Sequence, residues 1–122
     1  MGEVHVQLQL ENFFDREMVR RGLLAEDQVH TLTTSAVVDT DVLMLMLPQT
    51  QVNALSLNLS DSSAVTVKVG NRSATVTFAV NPDSAQTVLG RLPLTILDLH
   101  WDEARQTLLP RPESPLLPMY RI

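Results

Sequence analysis

The sequence predicts a mostly-β domain, a barrel or a sandwich, and three observations support that prediction. Val, Leu and Thr dominate the 122 residues and only five residues are aromatic, which favours strands around an aliphatic core. About seven or eight short segments of strand character are separated by turn clusters, mostly at hairpin spacing. Helical segments are few and do not alternate with the strands, which argues against a doubly wound α/β sheet.

Four patterns organise the first half of the chain. Apolar and polar residues alternate over 4–10, as in a half-buried strand. Apolar residues at helical spacing predict a helix over 15–21 that stops near Gly22. A β-branched run over 31–38 predicts a second strand, and the wholly apolar run 42–47 fits either a strand buried on both faces or a buried turn of helix.

The second half of the chain predicts mainly short strands. Gly70 and Asn71 form a two-residue loop of the hairpin type. Short helices are predicted over 49–54 and over 92–97, the second with Pro93 in its first turn. Strand character is found in six segments: 55–59, 64–69, 72–80, 86–89, 99–101 and 106–109.

Length and composition exclude several classes of protein. A chain of 122 residues fits one domain over 1–122, and the Pro-rich segment 110–122 is expected to be an extended tail. A net charge of −5 with Lys68 as the only lysine argues against a nucleic-acid partner. The longest apolar run, 42–47, is too short to span a membrane, and no signal sequence is recognised, so we expect a cytoplasmic protein.

Other side-chain groups have ordinary structural interpretations. The chain has no cysteine and only three histidines, which are scattered, so neither a disulfide nor a metal site is expected. Arg16, Arg20 and Arg21 are interpreted as a solvated helix face that pairs with Glu17.

Two carboxylates, Asp39 and Asp41, directly follow the predicted strand 31–38. Phosphatases of the haloacid dehalogenase type use Asp-x-Asp after a strand, but they need a parallel Rossmann-like sheet and Thr or Val where Leu43 stands. Glycosyltransferases use Asp-x-Asp to hold a divalent cation, but their domains are much longer. Aspartic proteolysis needs two carboxylates that share a proton and hold a water. A chain this short supplies one of them, so the second would come from a symmetric copy.

Five motifs, in this order, resemble the small bacterial and archaeal retropepsin-like aspartic proteases, which are relatives of the retroviral proteases. The resemblance covers nearly the whole chain. The motifs are Arg20-Arg21-Gly22-Leu23; Ala36-Val37-Val38-Asp39-Thr40 with Leu45-Met46-Leu47-Pro48; Gly70-Asn71-Arg72-Ser73-Ala74-Thr75-Val76; Val88-Leu89-Gly90-Arg91-Leu92-Pro93-Leu94; and Leu97-Asp98-Leu99 with Leu109-Pro110-Arg111-Pro112-Glu113-Ser114-Pro115.

The resemblance implies a closed-barrel-like retropepsin fold with one or two short helices, a homodimer, and hydrolysis of an extended peptide or protein substrate without a cofactor. It implies that Asp39 is the catalytic carboxylate and that the Thr40 hydroxyl grips the partner subunit beneath the paired acids. It further implies that Gly90 lets a second loop pass close behind the active-site loop, where a Cβ would clash.

Two departures from the family pattern support an alternative function. Asp41 stands where the family has glycine, which would crowd the groove and add charge beside the paired acids, although Asp41 could equally be a turn-capping residue. Residues 55–63 are shorter than the family's flap and contain no glycine for a flap tip. The alternative is a catalytically lapsed dimer of the same fold that binds a peptide or protein without cutting it.

Overall fold

A computed structural model describes residues 4–57, 64–81, 86–102, 104–105 and 107–110. In these residues the chain forms nine strands: β1 (His5–Asn12), β2 (Thr31–Val38), β3 (Leu45–Pro48), β4 (Val65–Val69), β5 (Arg72–Val76), β6 (Phe78–Asn81), β7 (Thr87–Leu89), β8 (Leu99–Asp102) and β9 (Thr107–Pro110). Three short helices, α1 (Phe13–Arg20), α2 (Gln49–Ala54) and α3 (Arg91–Ile96), and a 3-10 turn (Glu26–Gln28) complete the described elements. None of these helices has the length and apolarity needed to cross a bilayer.

Seven strands form one mixed sheet in the order β5-β4-β1-β2-β7-β3-β6, which curls into a half-barrel. Strands β8 and β9 pair separately as an antiparallel hairpin. Strand β7 lies between β2 and β3 in this sheet. It pairs with β2 in parallel orientation and with β3 in antiparallel orientation. The mostly-β prediction is therefore confirmed, with more parallel pairing than a set of hairpins would give.

The core consists of aliphatic side chains that the sheet and the helices bury between them. Alternation on the strands brings Leu8 and Leu10 of β1 and Val65 and Val67 of β4 inward, and all four are at most 1% exposed. Helices α2 and α3 and the turns that end them cover this layer with buried residues, which include Val52, Leu55, Leu94 and Leu97. The scarcity of aromatic residues is consistent with this packing of branched side chains.

The apolar run 42–47 divides into a loop and a strand. Only Leu45 onward pairs in the sheet, with Leu45 and Leu47 fully buried and Met46 half-buried. Residues 42–44 remain outside the strand. The strand interpretation is therefore correct for its second half, and the first half supplies a loop whose contacts are described below.

Four other sequence predictions differ from the structure or fall outside the described residues. The segment 72–80 is not one strand, because the chain leaves β4 at Thr77 and β6 pairs in parallel with β3 instead. Residues 55–57 are not a strand either: Leu55 is buried in the turn that ends α2, and Ser56 has a positive φ of 54°. Residues 58–63, which complete the proposed short flap, and the tail beyond Pro110 lie outside the described residues.

Helix α1 is fixed at both ends by its own sequence. The Asn12 Oδ1 atom accepts the Asp15 N–H at 3.1 Å, and its Nδ2 donates to the Leu55 carbonyl at 2.9 Å, so one side chain caps α1 and ties it to the turn after α2. At the other end Gly22 has a φ of +73°. The Leu23 N–H then reaches the Met18 carbonyl at 2.9 Å, which closes the helix with a Schellman turn.

Arg16 is not a solvated helix-face residue as the sequence suggested. Its Nε and Nη2 atoms donate to both oxygens of the buried Glu11 carboxylate, at 3.1 and 2.7 Å, and Nη1 donates to Glu26 at 2.8 Å. The hydrogen bonds to Glu11 and Glu26 raise the pKa of Arg16, and the same guanidinium lowers the pKa of Glu26. Arg20, in contrast, pairs with Glu17 at the surface, as expected.

Replacing Arg16 with alanine should destabilise the fold by about 2 kcal/mol, because the Glu11 carboxylate, 11% exposed in its side chain, would lose its partner. The matched control is Arg20→Ala, which removes an exposed pair and should cost less than about 0.5 kcal/mol. Urea unfolding of both variants measures the difference. Equal losses of unfolding free energy in the two variants would contradict the role given to Arg16.

Candidate active site

Asp39 lies at the carboxyl end of two neighbouring parallel strands. β2 ends at Val38, which pairs with Leu89 of β7. The Asp39 N–H continues this pairing by donating to the Leu89 carbonyl at 3.2 Å. Asp39 and Gly90, which follow β2 and β7 directly, are therefore brought to the same edge of the sheet, although 51 positions separate them in the sequence.

The loop after Asp39 passes directly against Gly90. A Cβ built on Gly90 would lie 2.6 Å from the Val42 carbonyl oxygen and 2.9 Å from the Leu43 carbonyl carbon, and closer still to the Met44 oxygen. The Arg91 N–H donates to the Val42 carbonyl at 2.7 Å and the Leu92 N–H to the Leu43 carbonyl at 2.8 Å. Gly90 has a φ of −85°, which any residue can adopt. Glycine is therefore required here because there is no room for a Cβ, and not because of the backbone conformation.

The Asp39 carboxylate takes part in the turn that it begins. Its Oδ1 atom accepts the Asp41 N–H at 3.0 Å, and its main-chain carbonyl accepts the Val42 N–H at 3.2 Å, which makes an Asx turn. The second carboxylate oxygen accepts no hydrogen bond from the described residues. The side chain is half-buried, so one oxygen is oriented by the loop and the other is left for a further partner.

The hydrogen bond to Asp39 does not depend on which side chain residue 41 carries. It uses the backbone N–H, which every residue except proline supplies. Asp41 therefore preserves the orientation of the Asp39 carboxylate although glycine is absent. The Asp41 carboxylate itself is exposed and makes no hydrogen bond or ion pair within the described part of the chain, so it does not cap the next turn.

Thr40 and Arg91 complete the charged and polar groups around the loop. Thr40 is exposed, and its carbonyl oxygen lies 3.5 Å from Nη1 of Arg91. The contact expected between the Thr40 hydroxyl and a partner subunit requires a second protomer and stays a prediction. No role for Arg91 was predicted from the sequence; its position directly after Gly90, where the two loops cross, is the signal that could have identified it.

Two findings on the described residues concern sites other than the loop at Asp39. No group of three or more His, Asp or Glu side chains within them is arranged to hold a metal ion. One depression, of about 230 Å³, is lined by residues of β1, β2 and β4: Gln9, Leu10, Glu11, Thr31, Leu32, Thr33 and Lys68. It adjoins the start of β2, whereas Asp39 follows the end of that strand, so the two are separate features.

Comparison with protein-family models gave no match, and comparison with curated proteins gave none either. These comparisons therefore show no family for the chain.

Replacing Gly90 with alanine should cost about 2–4 kcal/mol of unfolding free energy, because the new methyl group would overlap the backbone of residues 42–44. The matched control is Gly70→Ala, where φ is +60° but the space around a Cβ is open; strain alone should cost about 1 kcal/mol there. Urea unfolding compares the two variants. If Gly90→Ala lowers the unfolding free energy no more than Gly70→Ala does, the close approach of residues 42–44 to Gly90 is refuted.

Proposed function

We propose that this chain is a retropepsin-like aspartic endopeptidase that acts as a homodimer, with one Asp39 from each protomer. The observation that supports this most strongly is the state of the Asp39 carboxylate. It is held at a loop crossing by the close approach of Gly90, with one oxygen bound to the Asp41 N–H and the other unbound within the described residues. A carboxylate oriented on one side and open on the other suits a group that must share a proton with a twin.

The proposed mechanism uses the two Asp39 carboxylates and one water. Two acids at close range cannot both be ionised, so the pair holds a single proton and titrates as a unit. The ionised member takes a proton from water, which attacks the carbonyl carbon of an extended peptide, while the protonated member donates to the carbonyl oxygen. The C–N bond of the tetrahedral intermediate then breaks as the acid that received the water proton gives it to the departing amine nitrogen. The other carboxylate takes back the proton of a hydroxyl, whose oxygen becomes the carbonyl oxygen of the new acid, so the pair again holds one proton. The Thr40 hydroxyl would contact the partner subunit below the pair. This mechanism uses no metal or cofactor.

A second candidate function, peptide or protein binding without cleavage, is favoured by Asp41. In a dimer, two Asp41 carboxylates would join two Asp39 carboxylates in a small volume. Their repulsion would change the proton sharing that activates water. The fold and the proposed dimer would then be kept without catalysis.

The decisive variant for catalysis is Asp39→Asn, which keeps the turn acceptor but removes the acid. We expect the wild-type chain to cleave unfolded protein between about pH 4 and pH 7 in a pepstatin-sensitive manner, and the variant to lose at least about 100-fold in rate. Asp27→Asn, an exposed position in the 3-10 turn, is the matched control and should retain full activity. Cleavage that survives Asp39→Asn would eliminate the proposed pair of acids.

Two variants at residue 41 separate charge from bulk. If charge limits the reaction, Asp41→Asn and Asp41→Gly should both raise the cleavage rate, because each removes two carboxylates from the neighbourhood of the acid pair. If bulk limits it, only Asp41→Gly should do so. Absence of cleavage in the wild type and in both variants, together with retained binding of an extended peptide, would favour the binding function.

A further inference from the structure

We draw no further inference here: the strongest candidate, the depression that Lys68 and Thr33 border between β1, β2 and β4, offers only exposed polar side chains apart from Glu11, whose carboxylate Arg16 already binds through both oxygens, so nothing in the structure shows which ligand it would take.

Discussion

The arrangement of the candidate site depends on one close approach of two backbones. The loop between β2 and β3 lies so near Gly90 that no side chain fits there, and two hydrogen bonds from Arg91 and Leu92 hold the loop in place. The pairing of β2 with β7 brings the ends of the two strands together, and this crossing sets the direction in which the loop leaves the sheet. Because backbone atoms form both sides of the contact, side-chain rearrangement could not relieve a clash.

The position of Asp39 follows from this crossing. Its main chain extends the β2–β7 pairing, and its Oδ1 atom closes a turn with the Asp41 N–H, so the side chain has a defined orientation before any partner arrives. Pre-orientation of this kind lowers the cost of forming a reactive pair. The same geometry leaves Asp41 and Leu43 exposed next to Asp39, which explains why one structure is compatible with both cleavage and binding.

The sequence predicted local structure better than long-range structure. The β-branched run 31–38 has the same bounds as β2, and Gly22 ends α1, because periodicity and turn chemistry are local signals. The break at Thr77 and the parallel pairing of β6 with β3 depend on contacts across the sheet, which no local pattern encodes. Arg16 was misjudged for a similar reason: its partner Glu11 lies in the preceding strand and not on its own helix. At the site, the motif around Gly90 indicated that a second loop passes close to the loop after Asp39. The hydrogen bond from the Asp41 N–H to the Asp39 carboxylate could not be predicted, because no residue pattern specifies it.

The most direct test of the paired acids uses the absence of cysteine from the chain. A single Asp39→Cys substitution gives each copy one thiol, and a disulfide forms only if the two Cα atoms approach to about 4.4–6.8 Å. Under mild oxidation we expect this variant to become a covalent dimer that dithiothreitol separates, while Lys68→Cys, on β4, stays monomeric. Cross-linking of Asp39→Cys no faster than that of Lys68→Cys would contradict the claim that the two acids meet.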